Sequence, residues 1–150
     1  MALERFSLSR NDAPGRVFVV EDEEEANDEL VWACVDAGFS VASVRDGESA
    51  LEMLARSSFD VMVMDLILPR IGGIAVIETV RKRGLDLPII LVSEFIGVLD
   101  QHRFGEFGIS HVIRKPFRME ALIALIRQVA SGRRAGARLR APGEPRAQSG

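Results

Sequence analysis

Short, continuously apolar runs alternate along the chain with longer stretches in which apolar residues recur every three or four positions. The apolar runs span residues 16–21, 39–44, 60–65, 88–93 and 111–114. Their length and their content of Val, Ile, Phe and Met predict strands. Continuous apolarity, rather than strict alternation, implies burial on both faces. We therefore expect a parallel sheet covered by helices.

The longer stretches predict amphipathic helices over residues 24–37, 47–56, 73–83, 95–107 and 119–130. In the last of them four apolar residues follow an i, i+3, i+4, i+7 stripe: Leu122, Leu125, Ile126 and Val129. Three of the helices are followed directly by Gly38, Gly84 and Gly108, and glycine favours a helix end. Strands and helices in this alternation are typical of repeated βα units.

The two ends of the chain lack these patterns. Residues 132–150 are rich in Gly, Pro, Ala and Arg, and residues 131–150 hold five arginines against one glutamate. Such a composition predicts a basic disordered tail. Residues 1–14 are expected to be a flexible segment, with a short surface helix around Leu3, Phe6 and Leu8 or no regular structure. The folded domain is then predicted over residues 15–131.

Composition narrows the class of protein. The chain has 150 residues, of which 47% are hydrophobic and 27% charged, as in a single globular domain. With no membrane-length apolar stretch and no signal-peptide layout, a cytoplasmic location is expected. Cys34 is the only cysteine, so no internal disulfide forms. We interpret His102 and His111 as surface or loop residues, and expect Cys34 and Trp32 to pack in or beside the core.

Polar side chains stand at the carboxyl ends of four predicted strands. They are Glu21 with Asp22, Asp65, Ser93 and Lys115. The carboxyl ends of parallel strands share one edge of the sheet, where open α/β folds bind their ligands. The sequence therefore predicts that these side chains converge.

Three clustered carboxylates repel one another unless a cation neutralises them. Mg²⁺ suits this role, because proteins hold it with one or two carboxylates plus phosphate oxygens. Together with Lys115, a bound Mg²⁺ would cradle a phosphoryl group while one carboxylate attacks it, and Ser93 would donate to the same phosphate. Each residue alone also has a structural interpretation, as a turn, cap or loop residue. Their coincidence at four strand ends favours a site.

These residues resemble the receiver domain of bacterial response regulators, over residues 16–131. The resemblance rests on Val19-Val20-Glu21-Asp22-Glu23, Met64-Asp65-Leu66-Ile67-Leu68-Pro69-Arg70-Ile71-Gly72-Gly73, Ser93 and Lys115-Pro116-Phe117. It implies an α/β fold with a doubly wound five-stranded parallel sheet, flavodoxin-like (βα)5 with strand order 2-1-3-4-5. It also implies a cis peptide bond between Lys115 and Pro116.

The resemblance implies a role in a two-component phosphorelay. Asp65 would accept a phosphoryl group from a sensor histidine kinase or a histidine phosphotransfer protein. Mg²⁺ would be held by Asp22, Asp65 and the backbone carbonyl of Ile67, with Glu21 acting through water. Phosphorylation would reorder the loops around residues 67–73 and 94–100 and change contacts with a downstream protein target. The domain would be no enzyme beyond its own phosphorylation and slow autodephosphorylation.

Three residues depart from the family pattern. Val112 replaces a common aromatic residue, Glu94 a small residue, and Glu21 the commoner aspartate. A carboxylate at Glu94 would repel a phosphate donor, slow its entry or occupy the partner site of Ser93. These departures leave open a degenerate receiver that acts as a phosphorylation-independent protein-binding module.

Other expectations concern partners. No output domain fits after residue 131, so we expect a single-domain regulator acting through protein contact, as a monomer or weak dimer, or else a fragment of a longer regulator. The arginine tail leaves contact with nucleic acid or an anionic membrane open. Without interleaved aromatic residues, neither is the expected partner. A phosphatase is disfavoured because Ile67, two residues after Asp65, is no general acid.

Overall fold

A computed structural model describes residues 3–5, 15–94, 101–109 and 111–139. Its strands are β1 (Leu3–Arg5), β2 (Arg16–Val20), β3 (Ser40–Val44), β4 (Val61–Asp65), β5 (Ile89–Ser93) and β6 (His111–Arg114). Its helices are α1 (Glu24–Asp36), α2 (Gly47–Arg56), α3 (Gly73–Lys82), α4 (Gln101–Glu106) and α5 (Met119–Leu139). The predicted alternation of strands and helices is confirmed.

The strands form one sheet in the order β1-β3-β2-β4-β5-β6. Strands β2 to β6 are parallel to their neighbours. Counted without β1, their order is 2-1-3-4-5, which confirms the predicted doubly wound fold.

An additional strand lies at one edge of the sheet. β1 pairs antiparallel with β3, and Glu4 lies opposite Ala42. The prediction of a flexible segment or a short surface helix is therefore wrong for Leu3–Arg5. Physically, β3 would otherwise expose unpaired backbone groups at the sheet edge, and β1 satisfies them. Residues 6–14 lie outside the described residues.

α1, α2, α3 and α5 begin at their predicted residues, and the first three of them end within one residue of the prediction, whereas α5 differs at its end. α5 continues to Leu139, past its predicted end at residue 130, so residues 132–139 of the predicted disordered tail are helical, and residues 140–150 of that tail lie outside the described residues. Alanine and arginine favour helix, and Arg133 forms an ion pair with Asp86 at 3.0 Å that ties this extension to the domain. For α4, residues 95–100 of the predicted helix lie outside the described residues, and residues 101–106 are helical.

The core has two layers, one on each face of the sheet. Helices α1 and α5 cover one face, and α2, α3 and α4 cover the other. β3, β4 and β5 are buried along their whole length, as the continuous apolar runs predict. Cys34 is buried, as expected.

Trp32 does not pack in the core: its exposed fraction is 69%. The buried stripe of α1 consists of Asn27, Leu30, Val31 and Cys34. At 3.6 residues per turn, position 32 falls on the side of the helix away from that stripe. The prediction for Trp32 is therefore wrong, because the buried face of α1 is narrow.

The pairing register of the strands determines where their polar carboxyl ends lie relative to one another. Val20 pairs with Met64, and Asp65 pairs with Val92. Ser93 pairs with Arg114, the residue before Lys115. The predicted site residues therefore reach one edge of the sheet together. None of the helices in the described residues has the length and apolar character needed to cross a membrane.

Candidate functional site

Three carboxylates meet at the carboxyl edge of the sheet. One oxygen from each of Glu21, Asp22 and Asp65 lies within 4.8 Å of the others. Glu21 and Asp65 are buried, with exposed fractions of 2% and 9%. Burial of neighbouring negative charges is costly unless positive charge compensates it. The cluster therefore needs a cation.

Lys115 supplies part of that compensation. Its ammonium donates hydrogen bonds to Asp65 Oδ2 at 2.6 Å and to Glu21 Oε1 at 2.8 Å. Burial alone would lower the pKa of Lys115, but the hydrogen bonds and charges of the two carboxylates outweigh it and raise the pKa. Lys115 is therefore charged and bridges two strand ends.

Glu21 remains incompletely satisfied. Burial raises its pKa to about 7, against the lowering effect of the hydrogen bond from Lys115 and with a further raising contribution from Asp65. Its Oε2 atom is buried and accepts no hydrogen bond within the described part of the chain. Such an oxygen is costly to bury without a partner. An orphaned oxygen among three carboxylates fits a hard cation such as Mg²⁺.

The backbone after Asp65 turns back onto its side chain. The Ile67 N–H donates to Asp65 Oδ1 at 2.8 Å, and the Leu66 N–H donates to the carbonyl of Val92 at 3.1 Å. Both oxygens of Asp65 are therefore hydrogen-bonded, one by Ile67 and the other by Lys115. The carboxylate is held in one orientation at the strand end.

Ser93 lies beside this cluster. It is buried, with an exposed fraction of 1%, and its carbonyl accepts a hydrogen bond from the Lys115 N–H at 3.0 Å. The next peptide bond, Lys115-Pro116, is cis, as the resemblance implies. The structure thus brings all the predicted site residues to one place.

Two supporting residues were missed by the sequence analysis. Asn27 is buried in α1, and its amide donates to the carbonyls of Glu21 at 3.0 Å and Val44 at 3.1 Å. The guanidinium of Arg45 donates twice to the carbonyl of Asp22, at 3.0 and 2.8 Å. A polar residue on the apolar stripe of α1 was the available signal for Asn27. For Arg45 the sequence offered none.

A cavity of about 590 Å³ adjoins the cluster. Asp65 and Lys115 contribute to its wall, together with Glu94, Phe117 and Met119. Glu94, one of the three departures from the family pattern, is exposed there. Its carboxylate therefore lies on the approach to the cluster.

Val112 and the two histidines, which the sequence analysis also considered, do not belong to the carboxylate edge of the sheet. Val112 is half-buried and packs against the core on the α2, α3 and α4 side. His111 begins β6, at the opposite end of that strand from Lys115, and His102 lies in α4. Among the described side chains, that of His111 does not join the carboxylate cluster.

The fold and this cluster define a signalling domain of the receiver class. The sequence profile of the response regulator receiver domain matches residues 17–127, so the chain belongs to that family. Receiver domains act in two-component systems, interact with histidine kinases and downstream effectors, and generally bind Mg²⁺. They are signalling domains rather than classical enzymes.

Curated relatives agree with this assignment. The chain is 33% identical over 112 residues to the transcriptional regulatory protein DltR of Streptococcus agalactiae serotype III, which covers 75% of the chain and 50% of that protein. It is 34% identical over 112 residues to the response regulator MprA of Mycobacterium leprae, covering 75% and 49%. The chain therefore spans about half the length of these relatives. Since one of them is named a transcriptional regulator, the expectation that nucleic acid is no partner is not supported.

Solved structures show the same fold. The chemotaxis response regulator CheY4 of Vibrio cholerae has a TM-score of 0.70 and 24% identity, covering 76% of this chain and 97% of that one. The receiver domain of the Francisella response regulator 1452 has a TM-score of 0.74 and 22% identity, covering 79% and 98%. At these identities the likeness concerns the fold alone.

Proposed function

We propose that this domain is a phosphorylation switch in which Asp65 accepts a phosphoryl group from the phosphohistidine of a kinase or phosphotransfer protein. The observation that carries this proposal is the bridge from Lys115 to Asp65 and Glu21, with Asp22 in the same cluster. An acceptor carboxylate, a fixed ammonium and two further acids at the mouth of a cavity suit phosphoryl transfer.

Asp65 is the nucleophile of this reaction. A carboxylate oxygen forms a bond to phosphorus while the bond between phosphorus and the donor imidazole nitrogen breaks. The electron pair of that bond stays on the imidazole, which then takes a proton from solvent. The hydrogen bonds from Ile67 and Lys115 hold the carboxylate for this attack, so little reorganisation is needed.

Asp22, Asp65 and the backbone carbonyl of Ile67 would hold Mg²⁺, with Glu21 acting through water. When bound, the ion neutralises charge on the carboxylates and on the phosphoryl oxygens. The orphaned Oε2 of Glu21 supports this arrangement, because a water ligand of the ion would donate to it.

The phosphorylated form would then rearrange. The new group carries roughly two negative charges and three acceptor oxygens. Lys115 would exchange its hydrogen bond to the Asp65 carboxylate for a hydrogen bond to a phosphate oxygen. The Ser93 hydroxyl would donate a hydrogen bond to a second phosphate oxygen. The loop after Asp65 and the segment that begins at Glu94 would follow, changing the surface offered to a downstream protein.

Intact mass tests the proposal after incubation with acetyl phosphate and Mg²⁺. The wild-type protein should gain the mass of one phosphoryl group, and neither the Asp65→Asn variant nor a chelator-treated sample should gain it. Asp36→Asn, which alters an exposed carboxylate of α1, is the matched control and should behave as wild type. An equal mass gain in Asp65→Asn would overturn the assignment.

Glu94 supports a second candidate, a degenerate receiver that binds its partner without phosphorylation. Its carboxylate stands in the wall of the cavity through which a phosphate donor would approach. In that case neither acetyl phosphate nor a phosphohistidine donor would modify the wild-type protein. Recovery of phosphorylation in Glu94→Ala would identify that carboxylate as the block.

A further inference from the structure

The loop that follows Asp65 is closed on itself. The Gly73 N–H donates to the carbonyl of Leu66 at 3.0 Å, which joins the two ends of the loop Leu66–Gly73. A Cβ atom at Gly73 would lie 2.5 Å from that carbonyl oxygen, so only glycine permits this approach. Ile67, whose carbonyl is a proposed metal ligand, stands near the start of the loop. Its position depends on how the rest of the loop is held.

At the tip of the loop Arg70 adopts a backbone conformation that is unusual for its residue type. Its φ angle is 61°, and among the described residues that are not glycine it alone has a positive φ. The left-handed region is unfavourable for a residue with a Cβ atom. Such a conformation persists where surrounding contacts hold it.

The Arg70 side chain makes those contacts with the start of α2. Its Nη2 atom lies 3.3 Å from Asp46 Oδ2, and its Nε atom lies 3.2 Å from the carboxylate of Glu48. Asp46 is itself fixed, because its side chain caps α2 by accepting the Ser49 N–H at 2.7 Å. The loop tip is therefore tied to a rigid helix start by two carboxylates.

Packing beside the ion pairs supports the same attachment. A Cβ atom at Gly47 would lie 2.7 Å from Ile71 Cγ1 and 2.8 Å from Val76 Cγ2. The start of α2 thus fits closely against the residue that follows Arg70. Charge and shape both hold this end of the loop in place.

We propose that Arg70 is a positioning residue, which holds the loop carrying the Ile67 carbonyl by clamping the loop tip to Asp46 and Glu48. This inference rests on the proposed function, because it concerns the magnesium site of that switch. Within the described part of the chain, Arg70 forms its ion pairs with Asp46 and Glu48 and none with Asp65. It acts through the backbone between residues 67 and 70.

Mg²⁺ titrations test the clamp, with backbone amide shifts as the binding signal. Arg70→Ala should weaken Mg²⁺ binding about threefold to fivefold, the size expected for loss of a partly exposed ion pair. The phosphorylation rate at saturating Mg²⁺ should stay near that of wild type, since the reacting groups are intact. Arg70→Lys should recover part of the affinity, because it keeps the charge without the planar fork.

Hydrogen exchange of the metal-free protein gives a second readout. The Ile67 amide donates to Asp65 Oδ1, so its exchange rate reports on the start of the loop. Arg70→Ala should raise that rate about threefold to fivefold. Arg70→Gly should raise it as well, although glycine tolerates the left-handed conformation, because the ion pairs are lost. Arg56→Ala, at the far end of α2, is the matched control and should change neither readout.

Unchanged Mg²⁺ affinity and unchanged Ile67 exchange in Arg70→Ala would overturn the inference. Failure of the proposed function has a different signature. In that case the wild-type protein gains no phosphoryl group from acetyl phosphate, while the exchange rate of the Ile67 amide in metal-free protein still decides whether Arg70 holds the loop.

Discussion

Asp65 is hydrogen-bonded through both carboxylate oxygens, one by a backbone amide in the next turn and one by an ammonium from the far edge of the parallel strands. Its neighbour Glu21 is half satisfied, with one oxygen on Lys115 and the other buried without a partner among the described residues. At the residue scale the cluster therefore holds three carboxylates against one ammonium and remains short of positive charge. That shortage is the chemical reason to expect a cation.

Replacement of Lys115 by methionine should expose how much the cluster depends on its ammonium. Two buried carboxylates would remain without their counter-charge, so the free energy of unfolding should fall by about 2–4 kcal/mol. Urea denaturation measures the change. Lys82→Met, at the exposed end of α3, is the control, and its free energy of unfolding should fall by far less. An unchanged midpoint in Lys115→Met would show that the ion pairs contribute nothing to stability.

Cys34 should be chemically inert in the folded protein. Burial raises the pKa of its thiol to about 12, so very little thiolate exists at pH 8. Alkylation by iodoacetamide, followed by mass, should be at least about tenfold slower in buffer than in urea. Equal rates in the two conditions would mean that α1 opens readily from the sheet.

At the scale of elements, single arginines connect helices to the loops beside them. The Arg81 guanidinium donates to the carbonyls of Phe107, Leu85 and Leu87 at 2.7, 2.8 and 2.9 Å. It thereby joins α3 to the end of α4 and to the loop before β5. These contacts fix the position of α4, which precedes β6 and Lys115 in the chain.

Loss of this connection should destabilise the domain. Arg81→Met should lower the free energy of unfolding by about 2–3 kcal/mol, because three carbonyls lose a charged donor. Urea denaturation gives the value, and Arg83→Met is the matched control, since Arg83 donates to the single carbonyl of Leu51 and is exposed. Equal losses in both variants would contradict the role given to Arg81.

Sequence patterns were sufficient at the element scale wherever local composition decides the structure. The parallel strands and the ends of the helices followed from apolar runs and from Gly38, Gly84 and Gly108. Contacts between distant residues were not accessible in this way. β1 forms because β3 offers it an open edge, and α5 extends because Arg133 reaches Asp86. Neither partner is visible in the local sequence.

At the scale of the whole molecule, strand order explains the site. β2 and β4 are neighbours at the centre of the sheet, and β6 is two strands further on. Their carboxyl ends carry the acids and the lysine, so the cluster forms only when the sheet is complete. Sequence analysis could place Glu21, Asp22, Asp65, Ser93 and Lys115 at one edge, because a parallel sheet aligns its strand ends.

The residues that hold the site in place around that edge could not be predicted from the sequence. Asn27, Arg45 and Arg70 act through hydrogen bonds or ion pairs to residues at least six positions away. Such pairs depend on helix packing and loop conformation, which residue types alone do not specify. The exposed Trp32 shows the same limit, since a narrow buried stripe on α1 left it on the outer face.

The position of the phosphoryl group on the chain decides whether Asp65 is the acceptor. The protein is treated with acetyl phosphate and Mg²⁺, reduced with borohydride, which converts an aspartyl phosphate to homoserine, and digested for tandem mass spectrometry. We expect homoserine at position 65 and at no other aspartate, and none in a sample without acetyl phosphate. Homoserine at another aspartate, with Asp65 unmodified, would contradict the assignment of Asp65 as the acceptor.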